Sequence, residues 1–202
     1  KATATVSGDV VYMDTVNAVA NGGTSASALV SHTEPDLLTE FEAKTFNSTL
    51  IENGSLNYRI YVPDEYDGTQ SYPVLLFLHG IGERGDNNTS QLATNTGILK
   101  RLTGMEGDSY KCIIVAPQCP SDDTWCNPDN NCVDTSESVV WNNYDVETTV
   151  TTNANIMAYE LLQSVISEYN ADSDRIYGAG VSMGCFGVMN MAMNHPRLFS
   201  AV

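Results

Sequence analysis

The order of segments along the chain predicts an α/β fold, a mostly parallel β-sheet with helices on both faces. Two observations predict it. Three short runs, Val74–Leu78, Cys112–Ala116 and Arg175–Gly180, have the length of strands buried on both faces. Segments with helical spacing alternate with them. In the clearest, Val146–Tyr169, the residues Met157, Leu161, Leu162, Val165, Ile166 and Tyr169 recur at intervals of three and four and make one apolar stripe.

In chain order, residues 1–13 alternate small apolar and hydroxyl residues around Gly8-Asp9 and read as a hairpin. Residues 14–37 are rich in Ala, Asn, Gly, Ser and Thr without a firm period and read as a connector, placing His32 in it. Residues 1–38 are therefore expected to be an extension or linker, or the last strands of a β unit that begins upstream, and 39–202 the main domain. Phe41–Leu50 and Leu56–Val62 are two strands around the turn signal Glu52-Asn53-Gly54. After the strand Val74–Leu78 comes a glycine-rich polar loop at 80–90, then a helix over Leu92–Leu102 ending near Gly104. Residues 118–145 form an irregular stretch that holds both tryptophans and three of the five cysteines. The last helix, Met183–Asn194, follows the strand that ends at Gly180 and stops at His195-Pro196.

Composition excludes several partners. The 202 residues carry 25 acidic and nine basic side chains, a formal charge of −16. Such a surface repels phosphate backbones and anionic membranes, whereas a neutral polymer is compatible with it. No apolar run approaches the roughly 20 residues that span a bilayer. The opening KATATVSG has no leader pattern, so an exported protein of this sequence is expected to have lost one. Among the cysteines, Cys126 and Cys132 flank a polar turn and can close a small loop, and an odd count leaves one thiol over. Their spacing matches no zinc template, and neither metal nor cofactor is expected.

The segment richest in chemistry is Gly180-Val181-Ser182-Met183-Gly184, a G-x-S-x-G pattern between a buried strand and a helix. A serine there sits on a sharp, strained turn, and the residues two before and two after must be small to avoid collision. The turn lifts the hydroxyl out at the carboxyl end of the sheet, beside the positive end of a helix. Ser182 is the candidate nucleophile and the N–H of Met183 one candidate oxyanion donor. Upstream, Leu78-His79-Gly80-Ile81-Gly82 follows the first buried strand, where a second donor is expected. The N–H of Ile81 is that candidate. His79 is expected to fix the loop by hydrogen bonds rather than to act as a base, and His195 to be structural. Trp125 and Trp141, with Tyr144, are candidates for a platform under a sugar or aromatic acyl group, the alternative being ordinary packing under a long loop.

These residues resemble the α/β-hydrolase superfamily, and within it a branch of secreted bacterial carboxylesterases, often labelled predicted peptidases, that is related to acetylxylan and feruloyl esterases. Four blocks carry the resemblance: Tyr58-Arg59-Ile60-Tyr61-Val62-Pro63; Phe77 through Asn87, which includes Gly82-Glu83-Arg84-Gly85; Ala116-Pro117-Gln118-Cys119-Pro120; and Asp174-Arg175-Ile176-Tyr177 leading into the serine turn. The resemblance implies the α/β-hydrolase fold, here its N-terminal portion, and an extracellular bacterial setting. It also implies that the loop bearing Glu83 and Arg84 shapes the substrate site beside the oxyanion hole, the alternative being a charge pair that stiffens the loop. Where the family has a second glycine this chain has Cys185, expected to be packed and inert.

Superfamily members place the acid and then the histidine after the serine. After Ser182 the chain has no Asp or Glu, and His195 is its only later histidine. The triad is not within 1–202, and the missing C-terminal half is expected from a companion or longer chain. The resulting expectation is a serine carboxylesterase acting on acylated plant polysaccharide or a small ester. A serine peptidase on the same fold and a non-catalytic glycan-binding module are the alternatives. Ester against peptide substrates separate the first pair, and a downstream sequence without acid and histidine would favour the module.

Overall fold

The computed structural model describes residues 11–19, 25–33, 35–104, 111–127 and 149–202. They fall into two units, Lys1–Asp36 and Leu37–Val202. In the first, β1 (Val11–Val19) and β2 (Ser25–Thr33) pair antiparallel, with Val11 opposite Thr33 and Val19 opposite Ser25. This corrects the connector expected over 14–37, while the hairpin expected within 1–13 falls mostly on residues outside the described ones. Asn21-Gly22-Gly23 lies between the two strands and is a stronger hairpin signal than Gly8-Asp9. His32 thus lies in a strand.

The second unit is built on a five-stranded sheet. Its strands are β3 (Glu42–Asn47), β4 (Ser55–Tyr61), β5 (Val74–Leu78), β6 (Ile113–Pro117) and β7 (Ile176–Gly180), in the spatial order β3-β4-β6-β5-β7. β4 pairs antiparallel with β3 and β6, and β5 pairs parallel with β6 and β7. Every strand but β4 therefore points the same way. At the free edge of β7 the chain returns: Ala201 bridges Tyr177 in parallel, with Gly178 N–H to Ala201 O at 3.0 Å and Ser200 N–H to Ile176 O at 2.7 Å.

Strand alternation divides the core into two layers. On one face Val74, Leu76, Leu78, Val115 and Ile176 pack against α3 (Asn153–Glu168) and α4 (Met183–Asn194). On the other Leu75, Phe77, Ile114 and Ala116 pack with Leu37 of α1 (Leu37–Glu40) and Leu99 of α2 (Gly97–Thr103). Helices on both faces explain why β5 and β6 are buried along their whole length.

Three boundaries differ from the sequence reading, each for a local reason. β3 stops at Asn47, because Ser48 and Thr49 turn away to bond the carboxylate of Glu160 on α3, the Thr49 N–H at 3.0 Å. The helix expected over Leu92–Leu102 is split into a 3-10 turn, Ser90–Leu92, and α2, because Asn95 takes the left-handed region at φ 55°. α3 begins at Asn153 rather than near Val146. Val150 is bridged to Asn127, and two side chains cap the helix start. Thr152 accepts from Asn155 N–H at 3.3 Å, and Asp123 accepts from Ala154 N–H at 2.8 Å. Burial pushes the Asp123 carboxyl above its ordinary value.

Candidate active site

β7 delivers the chain to Ser182 with the sheet still pairing, since Val181 N–H donates to Leu78 O at 3.1 Å. Ser182 itself has φ 52° and ψ −116°, a conformation that costs a non-glycine residue of order 1–3 kcal/mol. It precedes α4 directly and makes no side-chain cap bond, so its hydroxyl is not tied to the helix it starts. The side chain is exposed.

Two glycines permit this turn. A Cβ on Gly180 would stand 2.3 Å from the carbonyl of Gly184. A Cβ on Gly184 would stand 1.9 Å from Leu78 O and 2.8 Å from His79 O. The start of α4 thus rests on the end of β5, and only a bare Cα fits between them. The N–H groups of Gly184 and Cys185 bond to Val181 O and Ser182 O at 2.8 and 2.9 Å. Met183, the first helical residue, has no carbonyl behind it within the helix to accept its N–H.

Across from Ser182 stands the 3-10 turn Ile81–Glu83, preceded by Gly80. The place a Gly80 Cβ would take is 3.8 Å from Ser182 Cβ and 3.0 Å from Glu83 Oε2. The Glu83 carboxylate is held at its other oxygen by the Thr94 hydroxyl. Arg84 donates to Ile81 O at 3.2 Å and Asp123 O at 3.0 Å, which ties the loop to the capped end of α3.

His79 sets the orientation of this loop. It is buried, and burial pushes its imidazole down to about 4. Nε2 accepts from Cys119 N–H at 2.9 Å, so the neutral ring carries its proton on Nδ1 and donates to Gly80 O at 2.6 Å. The Gly80–Ile81 peptide is trans, so anchoring its carbonyl on His79 turns the Ile81 N–H to the opposite side. The expected loop-fixing part of His79 is what the geometry describes.

Trp125 requires a correction. Expected as a platform for substrate, it is completely buried. Its Nε1–H donates to His79 O at 3.0 Å, and its ring stands edge-on to His79 with centroids 5.3 Å apart. A Cβ on Gly187 would stand 2.4 Å from Trp125 Cβ, so α4 presses on it from behind. Trp141, Tyr144 and Cys132 lie outside the described residues. Cys185 also departs from expectation. It is exposed, with its thiol donating to Gly180 O at 2.8 Å, because it lies on the face of α4 that carries exposed Met189 and Met193. His195 caps the far end of α4 and stacks on Tyr159 at 3.7 Å between centroids. Thirteen residues of helix rise separate it from Ser182, about 20 Å.

Sequence reasoning missed Gln118 and Asn155. Gln118 is buried and bridges the motif blocks: its Nε2 donates to Glu83 O and Asn87 Oδ1, both at 3.0 Å, and its Oε1 accepts from Asn88 N–H at 2.7 Å. Asn155 joins α3 to the site's floor by donating to Trp125 O at 2.6 Å and Gly187 O at 2.9 Å. Its place on the apolar stripe side of α3 was the available signal.

A family model described as "Putative esterase" matches residues 48–202. The chain belongs to that esterase family. All four sequence blocks fall inside the matched range. A solved thermostable esterase is 27% identical, with a TM-score of 0.65 over 92% of this chain and 47% of that one. A solved ferulic acid esterase is 20% identical, with a TM-score of 0.51 over 79% of this chain and 56% of that one, and shows likeness of fold. No curated protein matches the sequence. The esterase-family chain has the α/β-hydrolase fold, and it spans about half the length of the solved thermostable esterase.

Proposed function

We propose that this chain carries the nucleophile and oxyanion hole of a serine carboxylesterase. Ser182 attacks the ester carbonyl, and the N–H groups of Ile81 and Met183 receive the charge that develops on its oxygen. The reading rests above all on one observation, the strained backbone of Ser182 at a strand-to-helix turn facing the Gly80–Glu83 loop. Strain of this kind persists only where surrounding structure imposes it, and here two glycines and the end of β5 do so. Membership of the esterase family and likeness to the thermostable esterase support it.

A serine needs a base. His79 is unsuited, since both ring nitrogens are engaged in the loop, and His195 lies at the far end of α4. The histidine that takes the Ser182 proton, and the acid that orients it, are proposed to come from polypeptide beyond residue 202, in the same or a companion chain. Acyl esters on a neutral polysaccharide, or small esters, are the proposed substrates, and the net charge of −16 suits an uncharged polymer. An extracellular setting belongs to the same proposal.

The test is covalent labelling of the active protein with a fluorophosphonate, with the modified peptide mapped, beside hydrolysis of 4-nitrophenyl acetate and of a matched peptide anilide. Label on Ser182, lost in Ser182→Ala, with ester turnover over peptide turnover, is the expected result. Ester turnover that survives Ser182→Ala would overturn the assignment.

A further inference from the structure

We propose that Glu83 is a charge filter that restricts this site to neutral acyl groups and rejects acyl groups carrying a carboxylate. The inference rests on the esterase reading above and adds to it the charge class of the substrate.

The geometry that carries it is the shared neighbour of Glu83 and Ser182. Glu83 Oε2 lies 3.0 Å, and Ser182 Cβ 3.8 Å, from the point where a Gly80 Cβ would stand. The carboxylate and the serine are therefore separated by no more than those two distances together. The charge has a fixed position there. Glu83 closes the 3-10 turn that Gly80 begins, and the Thr94 hydroxyl holds its Oε1, leaving Oε2 as the oxygen turned toward Gly80. Its main chain is held as well, by Gln118 Nε2 on the Glu83 carbonyl at 3.0 Å.

Arg84, next in the chain, donates to the carbonyls of Ile81 and Asp123. The oxygens around the Gly80 position, Glu83 Oε2 and Val181 O at 3.5 Å, are both acceptors. An incoming hydroxyl finds acceptors there, whereas an incoming carboxylate meets like charge at Glu83. An acyl carboxylate that came within roughly 7 Å of Glu83 Oε2, at an effective dielectric of ~20, would be disfavoured by about fifty-fold in the rate constant for capture.

The experiment compares kcat/KM for 4-nitrophenyl acetate with that for 4-nitrophenyl hemisuccinate, at equal ionic strength, in the active protein and in Glu83→Gln. The leaving group is the same, so the ratio reads the acyl group alone. The wild-type ratio is expected to favour acetate by at least thirty-fold, and Glu83→Gln to compress it about ten-fold or more. Asp67→Asn, an exposed acid in the turn after β4, removes one unit of net charge elsewhere and is expected to leave the ratio within two-fold. Compression by both variants alike would overturn the filter in favour of the global field. An unchanged ratio in Glu83→Gln would overturn it outright. If the wild type hydrolyses neither ester, the esterase reading falls and the filter with it. If the wild type hydrolyses both and the ratio does not move in Glu83→Gln, the filter alone falls.

Discussion

Acidification should unfold this protein through His79 as well as through its carboxylates, and the share due to His79 can be isolated. In the folded chain its imidazole is pushed down to about 4, against an ordinary value of 6.5. The native state therefore stays neutral at His79 until about pH 4, while the unfolded chain takes up a proton below pH 6.5. Stability from this group is complete above pH 6.5 and is lost as the pH falls to 4. At 1.36 kcal/mol per unit the full difference is about 3.4 kcal/mol, of which about 2.5 kcal/mol is gone at pH 4.5. The physical event is the loss of an acceptor, since an imidazolium Nε2 can no longer take the Cys119 N–H. The assay is urea unfolding at pH 7.5 and pH 4.5 for wild type and His79→Gln. Carboxylate effects are common to both proteins and cancel in the difference. The wild type should lose about 2.5 kcal/mol more than the variant between the two pH values, although the variant starts lower. Equal losses in the two proteins would refute the account of a buried neutral His79.

Other perturbations have equally definite outcomes. Gly184→Ala places a methyl 1.9 Å from Leu78 O and should cost more than about 3 kcal/mol in urea unfolding, whereas Gly82→Ala, with nothing within 4 Å, should stay within about 1 kcal/mol. Ser182→Gly should abolish fluorophosphonate labelling yet raise stability by about 1 kcal/mol, because glycine accepts φ 52° without strain. Trp125→Phe removes the donor to His79 O and should cost about 1–2 kcal/mol of stability. With Trp125 fully buried, that variant should leave the KM for small esters near the wild-type value, and a selective rise in KM would restore the platform reading.

Much of the sheet was legible in the sequence because its central strands are covered on both faces. Val74–Leu78 and Cys112–Ala116 could be apolar throughout only if no side faced water. The serine turn was legible because Gly180 and Gly184 answer a collision that no other residue type survives. The start of α3 was not, because it is set by Asp123, about thirty positions away, and by the bridge from Val150 to Asn127. β1 and β2 were hidden by Ser, Thr and Ala, whose weak hydrophobic contrast blurs the two-residue period. Trp125 was misassigned because an indole in a long polar stretch suits a binding platform and a buried prop equally well. Only its contacts with His79 and Gly187 decide between them. The burial of Gln118 and Asn155 likewise depends on partners remote in sequence.

The seat of Gly184 on Leu78 O also dictates when, during folding, the serine turn can form. Its two sides come from positions more than a hundred residues apart, and the Val181 bond to the same carbonyl spans the same distance. Contacts of such separation form slowly, after local helices and hairpins. α3 and α4 can gain helical structure early, but nothing compels Ser182 into its strained geometry until β7 has docked beside β5. Reactivity toward a fluorophosphonate should therefore lag behind the recovery of helical signal on refolding. A chain caught midway would be helical, collapsed and chemically silent.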